Sequence, residues 1–533
     1  MNSPLLGSVI VETLIASGVT DIVLSPGSRN APISLASHAA DRDGRIRLHV
    51  RVDERVAAFT ALGLAKASGK VCAVVTTSGT AVANLAPAAM EARASGVALL
   101  LITSDRPSQM IGTGANQTAE QLGVLGPSTV GVVRVASTSG DERSWSAAIQ
   151  RGHAQALGTR TRRPGPVQVN VEFATPLVAT VPEVEVDPAK VVPSSGGTVT
   201  RLDGRPTVVL VGDAPPQVGQ RARLAAEQSG APLLAEPSSN ARGGKNAIDV
   251  YRLLLEQPIG QQIERVVCFG HPTLSRPVGR LVSRDDIELV VVADRADWFD
   301  PGHRAATITD GVVIEPQANT WLTAWQRAAA RARPLGTPGF DGRGIAAAVL
   351  AAVDPEEALF FGSSQTIRDA DLAPIGELPA EVWSNRGVSG IDGTVATATG
   401  VALATGRPTT VLLGDLTCQH DLGALVLGPL EPAADVRLVI VHDDGGAIFH
   451  TLEQGAPEFS DAFERVFGTP QDLNLAAVGR ALGWQVFEPS SLTELDEVLQ
   501  GTVSGRQMVV CSVSRSHRRA EAAQAPREIF EPG

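Results

Sequence analysis

Two aspartates carry the most specific chemistry in the chain. Asp415 closes the run Thr410-Val411-Leu412-Leu413-Gly414, and Asp443 closes Leu438-Val439-Ile440-Val441-His442. They lie 28 residues apart (443 − 415), and Asp444-Gly445-Gly446 follows the second. Hard oxygen ligands at the carboxyl ends of parallel strands suit Mg²⁺, and glycines beside them leave room for a diphosphate. Each acid alone is ordinary turn chemistry. The combination of two apolar strands, an acid after each, glycines on the second loop and a helix-sized gap points to a metal–diphosphate site.

Other residues could handle anions. Ser25-Pro26-Gly27-Ser28-Arg29-Asn30 lies between an expected strand, Asp21–Leu24, and an expected helix, Ala31–Ala40. An arginine and a helix N-terminus facing one place form a carboxylate receptor. Thr77-Ser78-Gly79-Thr80, Ser104-Asp105-Arg106-Pro107 and Gly112-Thr113-Gly114-Ala115-Asn116-Gln117 are loops of the same kind. So are Gly362-Ser363-Ser364-Gln365-Thr366-Ile367-Arg368 and Ser384-Asn385-Arg386-Gly387, which runs on to Ile391 and Gly393. Taken singly, each reads equally as a turn with a solvated arginine. Glu54, in Arg51-Val52-Asp53-Glu54-Arg55, opens a helix; it is a surface acid paired with Arg51 or Arg55, or an acid held for chemistry, with Asp53 as its rival. His420, His442 and His450 sit near the aspartate loops and read mainly as structural donors. The run Arg515 to Arg519 after the last strand reads as a solvated helix start.

The elements that must position these residues alternate short apolar runs with Ala-rich helical stretches, which predicts parallel α/β layers. Strands are expected at Asp21–Leu24, Val71–Val75, Val97–Ile102 and Val167–Phe173, then at Thr207–Val211, Val266–Phe269 and Ile287–Val292. The last set is Ala358–Phe361, Val382–Trp383, Thr410–Leu413, Arg437–Val441 and Met508–Val513. Breaker-rich stretches at Val181 to Pro206 and Pro334 to Gly344 read as linkers. The expected fold class is α/β, with three doubly wound parallel-sheet domains: 1–182, 205–335 and 345–533. At 533 residues the chain is too long for one core. Its balance of 45 Lys+Arg against 57 Asp+Glu, net −12, disfavours nucleic acid and anionic membranes as partners, so any arginine receptor is a local feature. Cys72, Cys268, Cys418 and Cys511 lack metal spacing and read as buried thiols in a reducing compartment. No run is long enough for membrane insertion, and a cytoplasmic location is expected.

Gly414-Asp415 followed by Asp443 and Gly445 resembles the signature of thiamine-diphosphate (ThDP) enzymes, and the arginine loops resemble one family among them. That family is the 2-succinyl-5-enolpyruvyl-6-hydroxy-3-cyclohexene-1-carboxylate (SEPHCHC) synthases of menaquinone biosynthesis. The likeness runs through the first and last thirds and is weakest in the middle, where it rests on Gly270-His271-Pro272-Thr273-Leu274-Ser275-Arg276-Pro277. The chain departs from the signature at Leu416, where Gly is usual, and at His442-Asp443, where Asn-Asn is usual.

The resemblance implies a three-domain ThDP-enzyme fold and a transferase reaction: decarboxylation of 2-oxoglutarate and conjugate addition of the resulting four-carbon unit to isochorismate. It implies ThDP with Mg²⁺ or Mn²⁺, held by the Asp415 carboxylate, the Asp443 side chain and the Gly445 carbonyl. Gly414, Leu416, Gly446, Ile448 and Phe449 complete the implied cofactor loops, and Ile391 bends the cofactor. Glu54 is the implied acid for the aminopyrimidine ring. Ser28, Arg29, Arg106 and Gln117 line the isochorismate side. Ser364, Arg368 and Arg386 receive carboxylate, with Arg276 as a basic residue from the middle domain. Catalytic roles are implied for Glu54, Arg29, Arg106, Arg368 and Arg386. Glu54 and Asp415 are 361 residues apart (415 − 54), and the resemblance implies that they meet across a subunit interface. A homodimer is then the minimal active unit and a homotetramer the expected assembly. The competing readings are another ThDP enzyme, of acetolactate-synthase or 2-oxoacid-decarboxylase type, and a nucleotide-binding oxidoreductase. Against the latter, Val211-Gly212-Asp213-Ala214-Pro215 is a poor dinucleotide loop.

Overall fold

The computed structural model describes residues 2–194, 197–332, 339–376, 380–516 and 518–519. The chain forms two compact units, each continued by distant segments. The first comprises residues 1–195 together with 387–406 and 421–434. The second comprises residues 196–386, 407–420 and 435–533.

The first unit is built on six parallel strands, in spatial order Arg47–Val50, Asp21–Leu24, Cys72–Thr76, Leu99–Asp105, Val167–Glu172, Gly131–Ala136. Four of them are buried along their whole length, as strands covered on both faces must be. The strand order reverses between Asp21–Leu24 and Cys72–Thr76, and the loops Ser25–Asn30 and Thr77–Gly79 leave the sheet there. In open parallel sheets the crevice at such a reversal is where ligands sit.

The second unit contains two such sheets. One has the order Ala305–Thr309, Glu288–Val292, Arg265–Phe269, Thr207–Val211, Leu233–Ala235. The other has the order Glu381–Ser384, Ala358–Phe361, Thr409–Gly414, Val436–His442, Arg506–Ser512, Gln485–Phe487. Numbered within its own sheet, this last order repeats that of the first unit. Its reversal lies between Ala358–Phe361 and Thr409–Gly414, so Asp415 leaves the sheet at the crevice.

All the expected strands form, with ends shifted by at most three residues. Strands not expected from the sequence include the edges Arg47–Val50 and Gln485–Phe487, whose polar or short sequences carry little apolar signal, and the edge Gly131–Ala136. The stretch Val181 to Pro206 is not wholly a linker: Val199–Leu202 pairs in parallel with Gly311–Ile314 as a separate two-stranded sheet. Part of the second breaker-rich stretch lies outside the described residues, and its end is already helix Gly342–Ala352, capped by the Asp341 side chain. The four cysteines are buried, and among the described residues none forms a disulfide. Among the described residues no helix is long and apolar enough to cross a membrane.

Helix Glu54–Ser68 starts where it does because the Asp53 side chain accepts from the Arg55 and Val56 amides, at 2.9 and 3.2 Å. It ends at Gly69, whose φ of 67° suits a left-handed C-cap. Its partner is helix Thr394–Thr405, which belongs to the same unit although it is far away in sequence. The two meet at glycines. A Cβ on Gly63 would lie 2.0 Å from the Thr397 carbonyl oxygen, and one on Gly400 would lie 2.2 Å from that of Thr60. The N-terminus of the second helix is held by buried Asp421, which accepts from the Ala396 amide at 2.9 Å. Gly63→Ala should therefore force the helices apart and cost about 1–3 kcal/mol. The check is the midpoint of the first thermal transition, which should fall by several degrees; an unchanged midpoint would count against the close crossing.

Candidate functional site

In the second unit the two aspartates emerge side by side from neighbouring strands, Thr409–Gly414 and Val436–His442. Asp415 is 2% exposed. Its Oδ1 accepts from the Leu416 amide at 2.7 Å, and its Oδ2 accepts from the Gly445 amide at 3.0 Å. His442 Nδ1 lies 3.0 Å from the same Oδ2, and this bond to Asp415 raises the histidine pKa. His442 thus orients the carboxylate, as a structural donor does. Asp443 is 7% exposed; burial, with the Asp415 charge added, pushes its pKa up to about 7. A buried carboxylate whose proton affinity is raised beside a second one is the electrostatics that a divalent cation relieves. Among the described residues no cluster of three or more His, Cys, Asp or Glu side chains is arranged for a metal. The donor set here is two carboxylates supplemented by backbone carbonyls, which fits a hard cation.

The second loop is shaped by close approach. Asp444 adopts φ 53° and Gly445 φ 144°. A Cβ on Gly445 would lie 2.1 Å from the Gly468 carbonyl oxygen, so no larger residue fits there without moving that loop. The Gly446 amide donates to the same carbonyl at 2.7 Å. Ile448 and Phe449 follow, both half-buried, with Phe449 packed against Phe467 at 5.7 Å between ring centroids.

The tail expectation is corrected at this point. Arg515 is not solvated: its Nη1 donates to the carbonyls of Asp443, at 2.7 Å, and Asp444, and its Nη2 pairs with Glu464. Arg518 is buried, with Nη1 3.0 Å from the Asp369 carboxylate. The basic run therefore braces the aspartate loop. Its signal in the sequence was position, two arginines just past the sheet's last long strand.

At the reversal of the same sheet, Ser364 caps helix Gln365–Ala370 and approaches Gly414, where a Cβ would lie 3.4 Å from its Oγ. Arg368 Nη1 donates to the Ser364 carbonyl at 3.0 Å. Burial, then the Arg386 charge, lowers the Arg368 pKa to about 10. Arg386 is 2% exposed and its Nη2 donates to Thr273 Oγ1 at 3.0 Å. Arg276 is not brought to this pair. It is exposed, with both guanidinium ends on the Glu453 carboxylate at 2.6 and 2.9 Å.

The first unit gathers the other set. Arg106 is buried; it donates to Ser78 Oγ and, at 2.7 Å, to the Gln117 carbonyl. Gln117 adopts φ 53° and its Nε2 donates to the Ser78 carbonyl at 2.9 Å. Arg29 donates to the Phe173 carbonyl at 2.8 Å, and its pKa is lowered by burial and then by the Arg106 charge. Ser28 is exposed beside it. Two neighbouring arginines at the carboxyl ends of strands make an anion receptor. Glu54 stands at the start of its helix and accepts from Asn84 Nδ2 at 3.3 Å. Arg51 pairs with Glu431 and Arg55 lies 3.7 Å from Asp421, while Asp53 is used as the helix cap. Arg51, one of the two arginines expected to pair with Glu54, is thus engaged by another acid. Ile391 is half-buried on the loop preceding helix Thr394–Thr405.

Residues 5–124 match the family model described as thiamine pyrophosphate enzyme, N-terminal TPP binding domain. The chain is 44% identical over 543 residues to the 2-succinyl-5-enolpyruvyl-6-hydroxy-3-cyclohexene-1-carboxylate synthase of Kineococcus radiotolerans, covering 97% of each chain. It is 43% identical to the synthase of that name from a Nocardioides species, covering 96% of this chain and 95% of the other. Among solved structures it resembles benzoylformate decarboxylase from Polynucleobacter necessarius, with a TM-score of 0.68 at 15% identity over 97% of this chain and 99% of that one. The sheets, the buried aspartate pair and the matched N-terminal domain define a ThDP-dependent enzyme. Within that class, the chain belongs to the family of 2-succinyl-5-enolpyruvyl-6-hydroxy-3-cyclohexene-1-carboxylate synthases.

Asp415→Ala should abolish Mg²⁺-dependent binding of ThDP, measured by titration calorimetry, while leaving the circular dichroism spectrum intact. Unchanged affinity for the cofactor would refute the metal site.

Proposed function

We propose that the chain decarboxylates 2-oxoglutarate and adds the resulting four-carbon unit to isochorismate, giving SEPHCHC for menaquinone biosynthesis. The observation that carries this reading is the presence of two arginine pairs, Arg29 with Arg106 and Arg368 with Arg386, each gathered past the carboxyl ends of strands of one parallel sheet, with Arg29 and Arg368 following strands at its reversal. Two dicarboxylate substrates bring up to four negative charges, and a chain of net charge −12 must concentrate arginine where they bind. An acetolactate-synthase or simple decarboxylase reading needs only a small apolar pocket. A nucleotide-binding oxidoreductase would leave the aspartate pair unused. The full-length likeness to named synthases supports the same choice.

The residues fit the cofactor as follows. Asp415, Asp443 and the Gly445 carbonyl would hold Mg²⁺ or Mn²⁺, with Gly414, Leu416 and Gly446 around the diphosphate and Ile448, Phe449 and Ile391 as apolar walls. ThDP, when bound, supplies the nucleophilic carbon and the electron sink that decarboxylation requires. The chain supplies the rest. Glu54 holds a proton at the cofactor's aminopyrimidine ring. Arg29 and Arg106, with Ser28 and Gln117, bind and orient isochorismate, while Arg368 and Arg386, with Ser364, receive substrate carboxylate. Arg276 joins them only by leaving Glu453. The apolar walls exclude water, which favours charge-neutral species at the reacting carbon. The active unit is a homodimer, with the Glu54 side and the aspartate side of each site drawn from two copies of the chain. Exposed Val52, Val426 and Leu430, close in sequence to the Arg51–Glu431 pair, support an interface beside Glu54. A homotetramer is the larger assembly proposed.

Glu54→Gln should lose about 10²-fold or more of carboligation while the fold is retained; wild-type turnover in that variant would sink the assignment. Arg106→Ala should raise the KM for isochorismate about ten- to a hundredfold and leave that for 2-oxoglutarate nearly unchanged. Steady-state kinetics with each substrate varied in turn decides it, and equal effects on both would refute the division of roles.

A further inference from the structure

The middle sheet carries a buried acid that the reaction as described does not use. Glu236 ends strand Leu233–Ala235 and opens Glu236-Pro237-Ser238-Ser239-Asn240-Ala241-Arg242, a segment buried throughout. Glu236 is 1% exposed and its Oε1 accepts from the Leu274 amide at 2.9 Å. The preceding residue, Thr273, accepts from Arg386 Nη2 at 3.0 Å, and His271 Nδ1 lies 3.3 Å from the Arg386 carbonyl. One dipeptide, Thr273-Leu274, is therefore gripped by the acid on one side and by the arginine on the other. Burial raises the Glu236 pKa to about 8, and the carboxyl lies close enough to Arg386 and Arg368 for the three groups to influence one another. Among the described residues, Glu236 Oε2 accepts no hydrogen bond and Arg386 Nε donates none. Buried polar atoms left unmet are costly and mark a site that is not yet complete.

The same segment also holds the strand that delivers Arg386. Asn240, at φ 54°, donates to the Val382 carbonyl at 2.7 Å and accepts from the Val382 amide at 2.8 Å. Its side-chain amide thus extends the edge of strand Glu381–Ser384, two residues before Arg386. Arg242 donates to the carbonyls of Asp371, at 3.1 Å, and Ala373, at 2.7 Å, just beyond the helix that carries Arg368.

We infer that Glu236 is a positioning residue for the Arg368–Arg386 carboxylate receptor, holding Arg386 in place through Thr273-Leu274. The inference rests on the proposed role of Arg386 as a substrate-binding residue and gives the middle sheet a part in substrate recognition.

The test is a double-mutant cycle on the full-length enzyme saturated with ThDP and Mg²⁺, with KM and kcat measured for both substrates. Glu236→Ala should raise, about tenfold, the KM of the substrate whose KM Arg386→Ala raises, with kcat within about threefold. The double variant should be no worse than Arg386→Ala alone. Glu236→Gln should restore the KM to near wild type, because its amide oxygen still accepts from Leu274. Thr273→Val, which removes the acceptor for Arg386 with little change in volume, should reproduce the KM shift and stands in if Glu236→Ala does not fold. Additive effects in the cycle, or unchanged KM values in Glu236→Ala and Thr273→Val, overturn the inference and leave the reading of Arg386 intact. Wild-type KM values in Arg386→Ala overturn that reading, and the inference with it.

Discussion

Like charges brought together out of water are the constraint around which this fold is organised. Asp443 is buried beside Asp415, Arg29 beside Arg106, and Arg368 beside Arg386. None of these pairs stabilises an isolated chain. Each is held by scaffold placed to hold it: the His442 ring and the Gly445 amide on Asp415, the Phe173 and Gln117 carbonyls on the first arginine pair, and Thr273 with Ser364 on the second. Parallel strands suit this task because their carboxyl ends deliver several loops to one crevice. The opposite charge that completes each pair is left to a metal ion or an anion.

Much of this was legible in the sequence. Strands such as Thr207–Val211 and Ala358–Phe361 announce themselves because burial on both faces demands unbroken apolar runs, and they fall where expected. Edge strands such as Arg47-Leu48-His49-Val50 carry no such demand and were missed. At the site, residue type with spacing singled out Asp415 and Asp443, and the family resemblance added the arginines. It could not single out Arg515 or Arg518, because their work is done through backbone carbonyls and a buried acid reached by folding. Glu236 escaped for the same reason: a lone glutamate after a short strand gains meaning only from Leu274, 38 residues on.

The first unit's sheet and the last sheet of the second share one strand order, and each places an arginine, Arg29 or Arg368, after a strand at the reversal. The two differ in what joins the arginines there: the first has Glu54 on a following helix, the other the aspartate pair. One layout thus carries different side chains past the ends of its strands, which is how parallel α/β sheets accommodate new functions.

The division of the chain has a bearing on biosynthesis. Helix Glu54–Ser68 packs on Thr394–Thr405, and the first unit is not complete until residue 434 has been made. From residue 195 to residue 387 the ribosome adds 192 residues (387 − 195), which takes on the order of 10–40 seconds at bacterial-type elongation rates. For that interval the face bearing Thr60, Gly63 and Leu64 has no covering helix. The N-terminal sheet thus leaves the ribosome with this face uncovered until its own distant segment arrives.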